Sequence, residues 1–341
     1  MTFSVLPIRQ LPPDSTNWTA LHNFAALRGQ LRVSLTPYCN IKCWFCHNEG
    51  DTPPDEQRNH AVRPKELCGE HYTQIIAALV QAGMKRIYFT GGEPLTSPIA
   101  AEVLTGLTER APDVFYTLIT NGLTVKKKRD MLTQARLDKI KVSLHYFSDA
   151  TFAQIAKTML PIGKVLEGID VARELVPEVG LNTLLQKQNE HEIVPILEYA
   201  LERGLSVQFI ELVDTGFNEE DRFSAVSAAG IISYLRTLTS EERVEIAGTG
   251  QGRRVFRIDG VEIDVIERGL GRHHVGQCGT CALKPNCIEG FWALRLDHSG
   301  GLQPCILRSD TRLNVLPLLD DMDQLTEAVA RHVDAFTEGV L

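Results

Sequence analysis

The sequence predicts an α/β fold: a partial (β/α)6 barrel followed by a cysteine-rich C-terminal extension. Six short apolar strand patterns recur along the chain, and each is followed by a segment with helical periodicity. Such alternation is typical of a parallel sheet built from right-handed crossovers. Six units are too few for a closed eight-unit barrel, so the sheet should remain open and curved. Four cysteines close together near the C-terminus define the extension.

The pattern divides the chain into three predicted parts: an irregular N-terminal extension at residues 1–30, the barrel at 31–215 and the cysteine-rich region at 216–341. Barrel strands are predicted at residues 31–36, 85–90, 114–120, 139–144, 179–185 and 206–212. Barrel helices are predicted at residues 70–82, 99–110, 126–136, 149–158, 164–176 and 190–203. Beyond the barrel we expect a helix at 225–238, a hairpin that turns at Asp259-Gly260, and an amphipathic helix at 321–336.

Composition limits the class of protein. The 341 residues are 43% hydrophobic, enough for a substantial core, and the net charge of -8 argues against a nucleic-acid partner. Eight cysteines without a secretory leader indicate metal ligation in a reducing compartment. No uncharged apolar run approaches the roughly 18 residues of a membrane span. We therefore expect a cytoplasmic protein that acts on a small polar molecule and has no membrane partner.

Three cysteines follow the first predicted strand in a CxxxCxxC array, at Cys39, Cys43 and Cys46. Three thiolates can hold three irons of a 4Fe-4S cluster and leave the fourth iron open to an outside ligand. A zinc site or three ordinary buried thiols are the alternatives. A structural zinc site needs four protein ligands, and the nearest fourth, His47, directly follows Cys46.

The array, with Phe45 before its last cysteine, resembles the signature of radical S-adenosylmethionine (radical SAM) enzymes. Thr90-Gly91-Gly92-Glu93-Pro94, after the second strand, resembles the glycine-rich motif of that superfamily. The resemblance implies that the open iron binds SAM, and that a reduced cluster cleaves it to a 5'-deoxyadenosyl radical. It also implies an electron donor such as flavodoxin or ferredoxin. The implied SAM-binding residues are Phe45, Gly91, Gly92, Glu93, Thr120, Ser143, Asn182 and Val213.

A second group comprises Cys278, Cys281, Cys287 and Cys305. Its spacing resembles the auxiliary-cluster appendage, of the twitch or SPASM type, found in radical SAM enzymes. Four thiolates would saturate a second 4Fe-4S cluster and suit it to electron transfer or structure. A structural zinc site remains the alternative.

The order of motifs resembles the GTP 3',8-cyclase branch of the superfamily, with four departures. Tyr88 and Gly180 stand where that branch has cations that contact the triphosphate, and Phe291 stands where it has its middle auxiliary cysteine. The branch has two arginines shortly after that cysteine, and only the second is present here, as Arg295. Each lost charge-assisted hydrogen bond costs about 1 to 3 kcal/mol. We therefore expect a substrate less anionic than GTP.

The residues expected to carry the chemistry are His145 and Glu211, each of which could instead bond locally. Expected substrate contacts are Tyr88, Arg295, Asn48 and Glu49.

The resulting hypothesis is a radical SAM enzyme of lyase or oxidoreductase type. It would take hydrogen from a nucleoside or sugar derivative and cause decarboxylation, dehydration or rearrangement, as antibiotic-pathway enzymes such as cytosylglucuronate decarboxylase do. The alternatives are GTP 3',8-cyclisation, peptide modification and a non-catalytic iron-sulfur scaffold.

Overall fold

A single mixed β-sheet organises the protein. The computed structural model describes residues 18–47, 49, 67–110, 114–212, 224–249, 251–267, 269–270, 274–287, 289–339 and 341. Within them the strands are β1 (Gln30–Ser34), β2 (Arg86–Thr90), β3 (Phe115–Thr120), β4 (Lys139–Ser143), β5 (Glu178–Leu185), β6 (Ser206–Glu211), β7 (Glu242–Ala247), β8 (Gln251–Ile258), β9 (Val261–Ile266), β10 (Ala293–Leu296), β11 (Gly301–Gln303) and β12 (Leu313–Asn314).

The strand order is β12-β11-β10-β1-β2-β3-β4-β5-β6-β9-β8-β7. From β10 through β1 to β6 and on to β9 every neighbouring pair is parallel. The strands outside this block pair antiparallel, β11 and β12 at one end and β8 and β7 at the other. The carboxyl ends of the parallel strands therefore gather at one edge, where sites form in such sheets.

Helices cover the outside of the sheet. They are α1 (Thr19–Ala26), α2 (Gly69–Gln81), α3 (Ala100–Arg110), α4 (Arg129–Gln134), α5 (Asp149–Ala156), α6 (Gly163–Leu175), α7 (Ile193–Arg203), α8 (Ala229–Leu238) and α9 (Met322–Thr337). In α2 the buried Tyr72, Ile75, Ile76 and Leu79 form one face, as the 3.6-residue period requires. None of the described helices is long and apolar enough to cross a membrane.

The inner face of the sheet is polar, because several strands alternate. In β2, Ile87 and Phe89 are buried against the helices, whereas Arg86, Tyr88 and Thr90 line a cavity. In β4, Ile140 and Val142 are buried and Lys141 and Ser143 line the same cavity. Since neighbouring side chains on a strand point to opposite faces, this alternation predicts an apolar outer face and a polar interior.

The predicted α/β class and partial (β/α)6 barrel are confirmed, and all six predicted strands are present. Three details differ. The segment expected to be irregular contains α1, whose Leu21 and Phe24 are fully buried. The helix predicted at 126–136 is a 3-10 turn, Lys126–Lys128, followed by the shorter α4. The antiparallel strand β7 was not predicted.

The C-terminal region joins the barrel sheet instead of forming a sheet of its own. β9 pairs parallel with β6, and β10 pairs parallel with β1 on the opposite side. The expected hairpin is β8–β9, which turns at Asp259 and Gly260, both with positive φ. The boundary expected at residue 216 lies outside the described residues, and the three-part division remains a prediction.

The tip of the β7–β8 hairpin reaches back to the other end of the parallel block. Gly248 N–H donates to the Leu27 carbonyl, which precedes β1, at 2.7 Å, and Thr249 N–H donates to the Phe291 carbonyl at 2.7 Å. An ion pair of 3.0 Å between Arg28 and Glu245 lies beside them. The chain itself therefore spans the gap that an open barrel leaves.

Candidate functional site

A cavity of about 580 Å³ lies inside the curved sheet, a size typical of small-molecule sites. Its wall brings together most of the predicted site residues: Cys39, Cys43, Phe45, Cys46, Glu49, Tyr88, Gly91, Gly92, Thr120, Ser143, His145, Asn182 and Arg295. Glu93 and Glu211 are not on this wall. Asn48 and Val213 lie outside the described residues.

The loop that carries Cys39, Cys43 and Cys46 is held by backbone hydrogen bonds to the end of α5. Lys42 N–H donates to the Ala156 carbonyl at 2.9 Å, and Trp44 N–H donates to the Ile155 carbonyl at 3.1 Å. These bonds use carbonyls that the last turn of a helix leaves free. The three thiols are thereby directed at the cavity.

The three thiols are close enough to influence one another's charge. Burial, followed by the charges of Glu93 and Cys46, raises the pKa of Cys39 to about 12. Burial, followed by Cys46 and Cys39, raises the pKa of Cys43. Thiolates bind metal and thiols do not, so a bound cation must displace these protons. A cavity wall lined by three thiols of one loop suits a 4Fe-4S cluster with one open iron.

The paired glycines leave space for the backbone of the cysteine loop. A Cβ at Gly91 would overlap the Thr36 carbonyl, and a Cβ at Gly92 would overlap that of Tyr38. Gly92 N–H donates to the Thr36 carbonyl and Glu93 N–H to the Tyr38 carbonyl, both at 2.8 Å. The glycine-rich motif therefore fixes the loop that carries the three expected cluster ligands.

Glu93 has a structural environment that the sequence did not reveal. Its carboxylate accepts hydrogen bonds from the Thr120 hydroxyl at 2.7 Å, Asn121 N–H at 2.8 Å and Leu95 N–H at 3.1 Å. Burial raises the pKa of Glu93 to about 7 despite these donors. The side chain therefore ties the glycine loop to the end of β3, and its contact with SAM remains a prediction.

Three polar residues suit a bound SAM. Thr120 and Ser143 end β3 and β4, Asn182 pairs with Ser143 from within β5, and all three line the cavity. The Asn182 Oδ1 atom is buried without a hydrogen-bond partner among the described residues. Since unpaired buried acceptors are costly, this atom has acceptor capacity for a hydroxyl or amino group. The residues present therefore fit the cofactor that the resemblance implies.

His145 is a neutral imidazole in the cavity wall. Its Nδ1 accepts a hydrogen bond from Leu184 N–H at 3.0 Å, and its ring packs edge-on against Phe45 at 4.9 Å. Burial lowers the pKa of His145 to about 3. With Nδ1 occupied as an acceptor, Nε2 carries the proton and can donate a hydrogen bond. The catalytic role of His145 stays a prediction, and it is a role for the neutral ring.

The expectation that Glu211 faces the cavity is wrong. Its side chain is buried away from the cavity wall and accepts a hydrogen bond from Ala228 N–H at 2.7 Å, at the start of α8. A carboxylate at this position satisfies a backbone donor that the helix leaves free and interacts favourably with the helix dipole. Glu211 joins β6 to α8 and is not part of the reacting site.

Arg295 and Glu49, expected to bind substrate, belong to one buried ion network. Arg32 donates to both carboxylate oxygens of Glu49, through Nε at 2.8 Å and through NH2. Arg295 lies 3.7 Å from Glu49 and donates to Glu289 at 3.2 Å. Although burial raises it, the neighbouring Arg32 brings the pKa of Glu49 to about 2.

Aromatic rings complete this network. The Trp292 ring lies 5.5 Å from the Arg32 guanidinium and 4.9 Å from that of Arg295, and its indole N–H donates to Glu289 at 3.0 Å. The Tyr88 ring lies 5.7 Å from the Arg32 guanidinium. The guanidinium charges are thus largely committed to groups of the protein. Contacts of Arg295, Glu49 and Tyr88 with substrate remain predictions.

The second cysteine group lies behind this network. Burial, followed by the charges of Cys305, Cys287 and Cys281, raises the pKa of Cys278 to about 11. In the described part of the chain no three His, Cys, Asp or Glu side chains converge tightly enough to hold a single metal ion. Phe291, at the position of the missing auxiliary ligand, is a core residue stacked on Phe24 at 4.4 Å.

Sequence reasoning missed a set of cations on the cavity wall, namely Arg28, Arg86, Lys141 and Arg253. The only lining carboxylates among the described residues are Glu49 and Glu289, and both are paired with arginine. The alternation of β2 and β4 was a usable signal, because a polar residue at every second position of a parallel strand marks a polar face. The sequence analysis considered the cations replaced by Tyr88 and Gly180 but not these four.

Comparison with known proteins agrees with this geometry. The model of the radical SAM superfamily matches residues 33–200. A probable GTP 3',8-cyclase of Methanosarcina acetivorans is 30% identical over 296 residues, 84% of this chain and 79% of the relative. The GTP 3',8-cyclase of Limosilactobacillus fermentum is 25% identical over 315 residues, 91% of this chain and 89% of the relative.

Solved structures share the fold. The structure of Streptococcus suis SuiB bound to S-adenosylmethionine superposes with a TM-score of 0.60 at 15% identity, covering 88% of this chain and 67% of SuiB. Native anSMEcpe with bound AdoMet gives a TM-score of 0.57 at 14% identity, covering 91% of this chain and 82% of anSMEcpe. The chain belongs to the radical SAM superfamily, as an enzyme that uses a 4Fe-4S cluster and S-adenosylmethionine and is related to GTP 3',8-cyclases.

Proposed function

We propose that this radical SAM enzyme takes a hydrogen atom from a small, negatively charged nucleoside or sugar derivative. The observation that carries the proposal is the excess of cations over carboxylates on the cavity wall. Arg28 and Arg253 are paired with carboxylates behind the wall, whereas Arg86 and Lys141 have no carboxylate within 4.0 Å among the described residues. A neutral substrate would leave these two cations without a paired counter-charge, which is unfavourable. The proposal adds a negative charge to the small polar metabolite that the sequence predicts.

When bound to the three-cysteine loop, the cluster and SAM supply a 5'-deoxyadenosyl radical that abstracts hydrogen. Cys39, Cys43 and Cys46 hold the cluster in this proposal. Thr120, Ser143 and Asn182 orient SAM through their hydroxyl and amide groups on the cavity wall. His145 presents its neutral Nε2–H to the cavity as a hydrogen-bond donor. A flavodoxin or ferredoxin is the proposed electron donor.

Two reactions compete as the outcome of hydrogen abstraction. GTP 3',8-cyclisation is favoured by the names of the relatives and by the cations of the wall. Decarboxylation, dehydration or rearrangement of another anionic metabolite, as in natural-product biosynthesis, is supported by Tyr88, Gly180 and the four-cysteine group, which depart from the cyclase pattern. Relatedness at this level favours cyclisation as the first reaction to test.

The test uses anaerobically reconstituted protein with SAM and dithionite. GTP, other nucleotides and a nucleoside that carries a sugar carboxylate are supplied in turn, and 5'-deoxyadenosine and products are measured by mass spectrometry. We expect one anionic substrate to raise 5'-deoxyadenosine release well above the substrate-free rate. Cyclisation gives a product with the same mass as GTP. Decarboxylation or dehydration gives a product that is lighter than its substrate by carbon dioxide or water. A rearrangement also preserves mass, but its substrate is not GTP.

The control is the triple variant Cys39→Ala, Cys43→Ala, Cys46→Ala, which should release no 5'-deoxyadenosine. Stimulation by a neutral sugar or by a peptide, with no response to any anion, would contradict the proposal.

A further inference from the structure

Tyr146 carries a buried hydroxyl group on the wall of the cavity. The residue follows the end of β4, its side chain is fully buried, and it lines the same cavity as the expected cluster ligands. The hydroxyl has no hydrogen-bond partner among the residues that the structure describes. An unpaired buried hydroxyl costs free energy, so folded proteins rarely contain one without a reason. An unpaired donor on a cavity wall indicates that a group bound in the cavity is its partner.

The Tyr146 ring is fixed against the helix that also holds the cysteine loop. It stacks on Phe152 of α5, with the ring centroids 4.1 Å apart and the ring planes at 26°. Ile155 and Ala156, in the last turn of the same helix, accept the backbone hydrogen bonds of the cysteine loop. Tyr146 and the loop therefore both contact the C-terminal half of α5. Stacking on a helix of the core gives the phenol ring little freedom to turn its hydroxyl elsewhere.

The groups that act on the phenol are the thiols of the loop and one carboxylate. Burial, followed by the charges of Cys43, Cys39 and Glu93, raises the pKa of Tyr146 well above its usual range. Cys39 and Cys43 line the cavity together with Tyr146. All three groups are anionic when ionised, and anionic neighbours favour the neutral phenol. The hydroxyl therefore keeps its proton and can donate it in a hydrogen bond to sulfur.

We propose that the Tyr146 hydroxyl donates a hydrogen bond to a sulfur of the cluster held by Cys39, Cys43 and Cys46, and thereby raises the reduction potential of that cluster. The inference rests on the proposed function, in which this loop holds the cluster. Hydrogen bonds to the sulfurs are among the factors that set the potential of an iron-sulfur cluster. The reduced cluster carries one more negative charge, so a donor stabilises it more than the oxidised cluster.

The test is a redox titration of the anaerobically reconstituted protein without SAM, followed by electron paramagnetic resonance. The signal of the N-terminal cluster is the one that is absent from the triple variant Cys39→Ala, Cys43→Ala, Cys46→Ala. Tyr146→Phe should move its potential by about 30 to 60 mV to more negative values, a three- to tenfold change in the one-electron equilibrium. The matched control Tyr199→Phe removes a hydroxyl on α7 that is also buried without a partner in the described part of the chain, but that does not line the cavity. It should leave the potential unchanged.

A second measurement distinguishes a lost hydrogen bond from a folding defect. In the cluster-free protein, Tyr146→Phe should unfold at the same or a higher urea concentration than the wild type, because the change removes an unpaired buried hydroxyl. A lower urea midpoint would show that the hydroxyl has a partner within the protein itself, and would overturn the inference. An unchanged cluster potential in Tyr146→Phe would overturn it as well.

A hydroxyl that binds SAM instead of the cluster gives a different result. The potential measured without SAM would then equal that of the wild type, whereas the dissociation constant of SAM would rise, and this outcome also contradicts the inference. Failure of the proposed function is recognised separately. In that case the triple variant would hold as much iron as the wild type and both would fail, whereas an unchanged potential in a loaded protein excludes the inference alone.

Discussion

Arg295 shows how much a buried charge depends on its partners. Its side chain is 4% exposed and lies between Glu289 and Glu49, with Trp292 beside it. Removal of one member of a buried ion pair costs about 3 to 5 kcal/mol, because the other charge stays desolvated. A pair at the surface contributes only about 0 to 1 kcal/mol. The network should therefore matter for folding as well as for the shape of the cavity.

We expect Arg295→Met to lower the free energy of unfolding by about 3 to 5 kcal/mol, because Glu289 loses its cation and Glu49 retains only Arg32. Urea denaturation of the purified protein measures the change. The control is Arg331→Met, which breaks an exposed pair with Glu327 of 2.9 Å and should cost about 0 to 1 kcal/mol. Similar small losses in both variants would show that Arg295 is free to bind substrate.

Single residues were predictable from sequence where their chemistry is local. Cys39, Cys43 and Cys46 are recognisable because the spacing of ligands along one loop limits what they can hold. The positions of the Glu211 and Glu93 side chains were not predictable, because each carboxylate accepts hydrogen bonds from backbone N–H groups of another segment of the chain. The residue type alone does not show whether a carboxylate faces a cavity or caps a helix.

At the level of elements, the β7–β8 hairpin closes the open side of the barrel. Gly248 has φ of +57°, and a Cβ there would lie 2.5 Å from Trp292 Cα and 2.6 Å from the Phe291 carbonyl oxygen. Both neighbours are backbone atoms, which cannot rotate away. The hairpin also supplies Gln251 and Arg253 to the cavity wall. The fit of its tip thus affects the base of the site.

We expect Gly248→Ala to lower the free energy of unfolding by about 2 to 4 kcal/mol, from the left-handed backbone together with overlap in a packed region. Gly260→Ala is the matched control, since Gly260 has φ of +84° but no atom within 4 Å of its Cβ position. It should cost only about 1 kcal/mol. Thermal or urea unfolding distinguishes the two, and equal losses would mean that the hairpin tip is not tightly packed.

The elements that could be predicted are those fixed by neighbouring residues. The six βα units follow from buried apolar runs between helical periods, and their parallel order follows from the crossover rule. The pairings of β9 with β6 and of β10 with β1 join segments far apart in sequence, which no local pattern encodes. The helix at 126–136 was overpredicted, because the lysine run Lys126–Lys128 forms a 3-10 turn with no buried face.

At the scale of the whole molecule, the two cysteine groups lie on either side of one ion network. Glu49, three residues after Cys46, contacts Arg295, and Arg295 contacts Glu289, two residues after Cys287. The C-terminal region is joined to the barrel through β10, so both groups are positioned by one sheet. A change at either group can therefore be transmitted to the cavity wall through a short series of buried charges.

The two groups should nevertheless load independently, because no cysteine is shared between them. We expect reconstituted wild-type protein to hold about eight irons and eight sulfides, and Cys278→Ala with Cys281→Ala to hold about four of each. The triple variant of Cys39, Cys43 and Cys46 should also hold about four, by metal analysis after gel filtration. About four irons and one zinc in the wild type would instead identify the C-terminal group as a structural zinc site. If the double variant still binds SAM and the triple variant does not, the open iron belongs to the N-terminal loop.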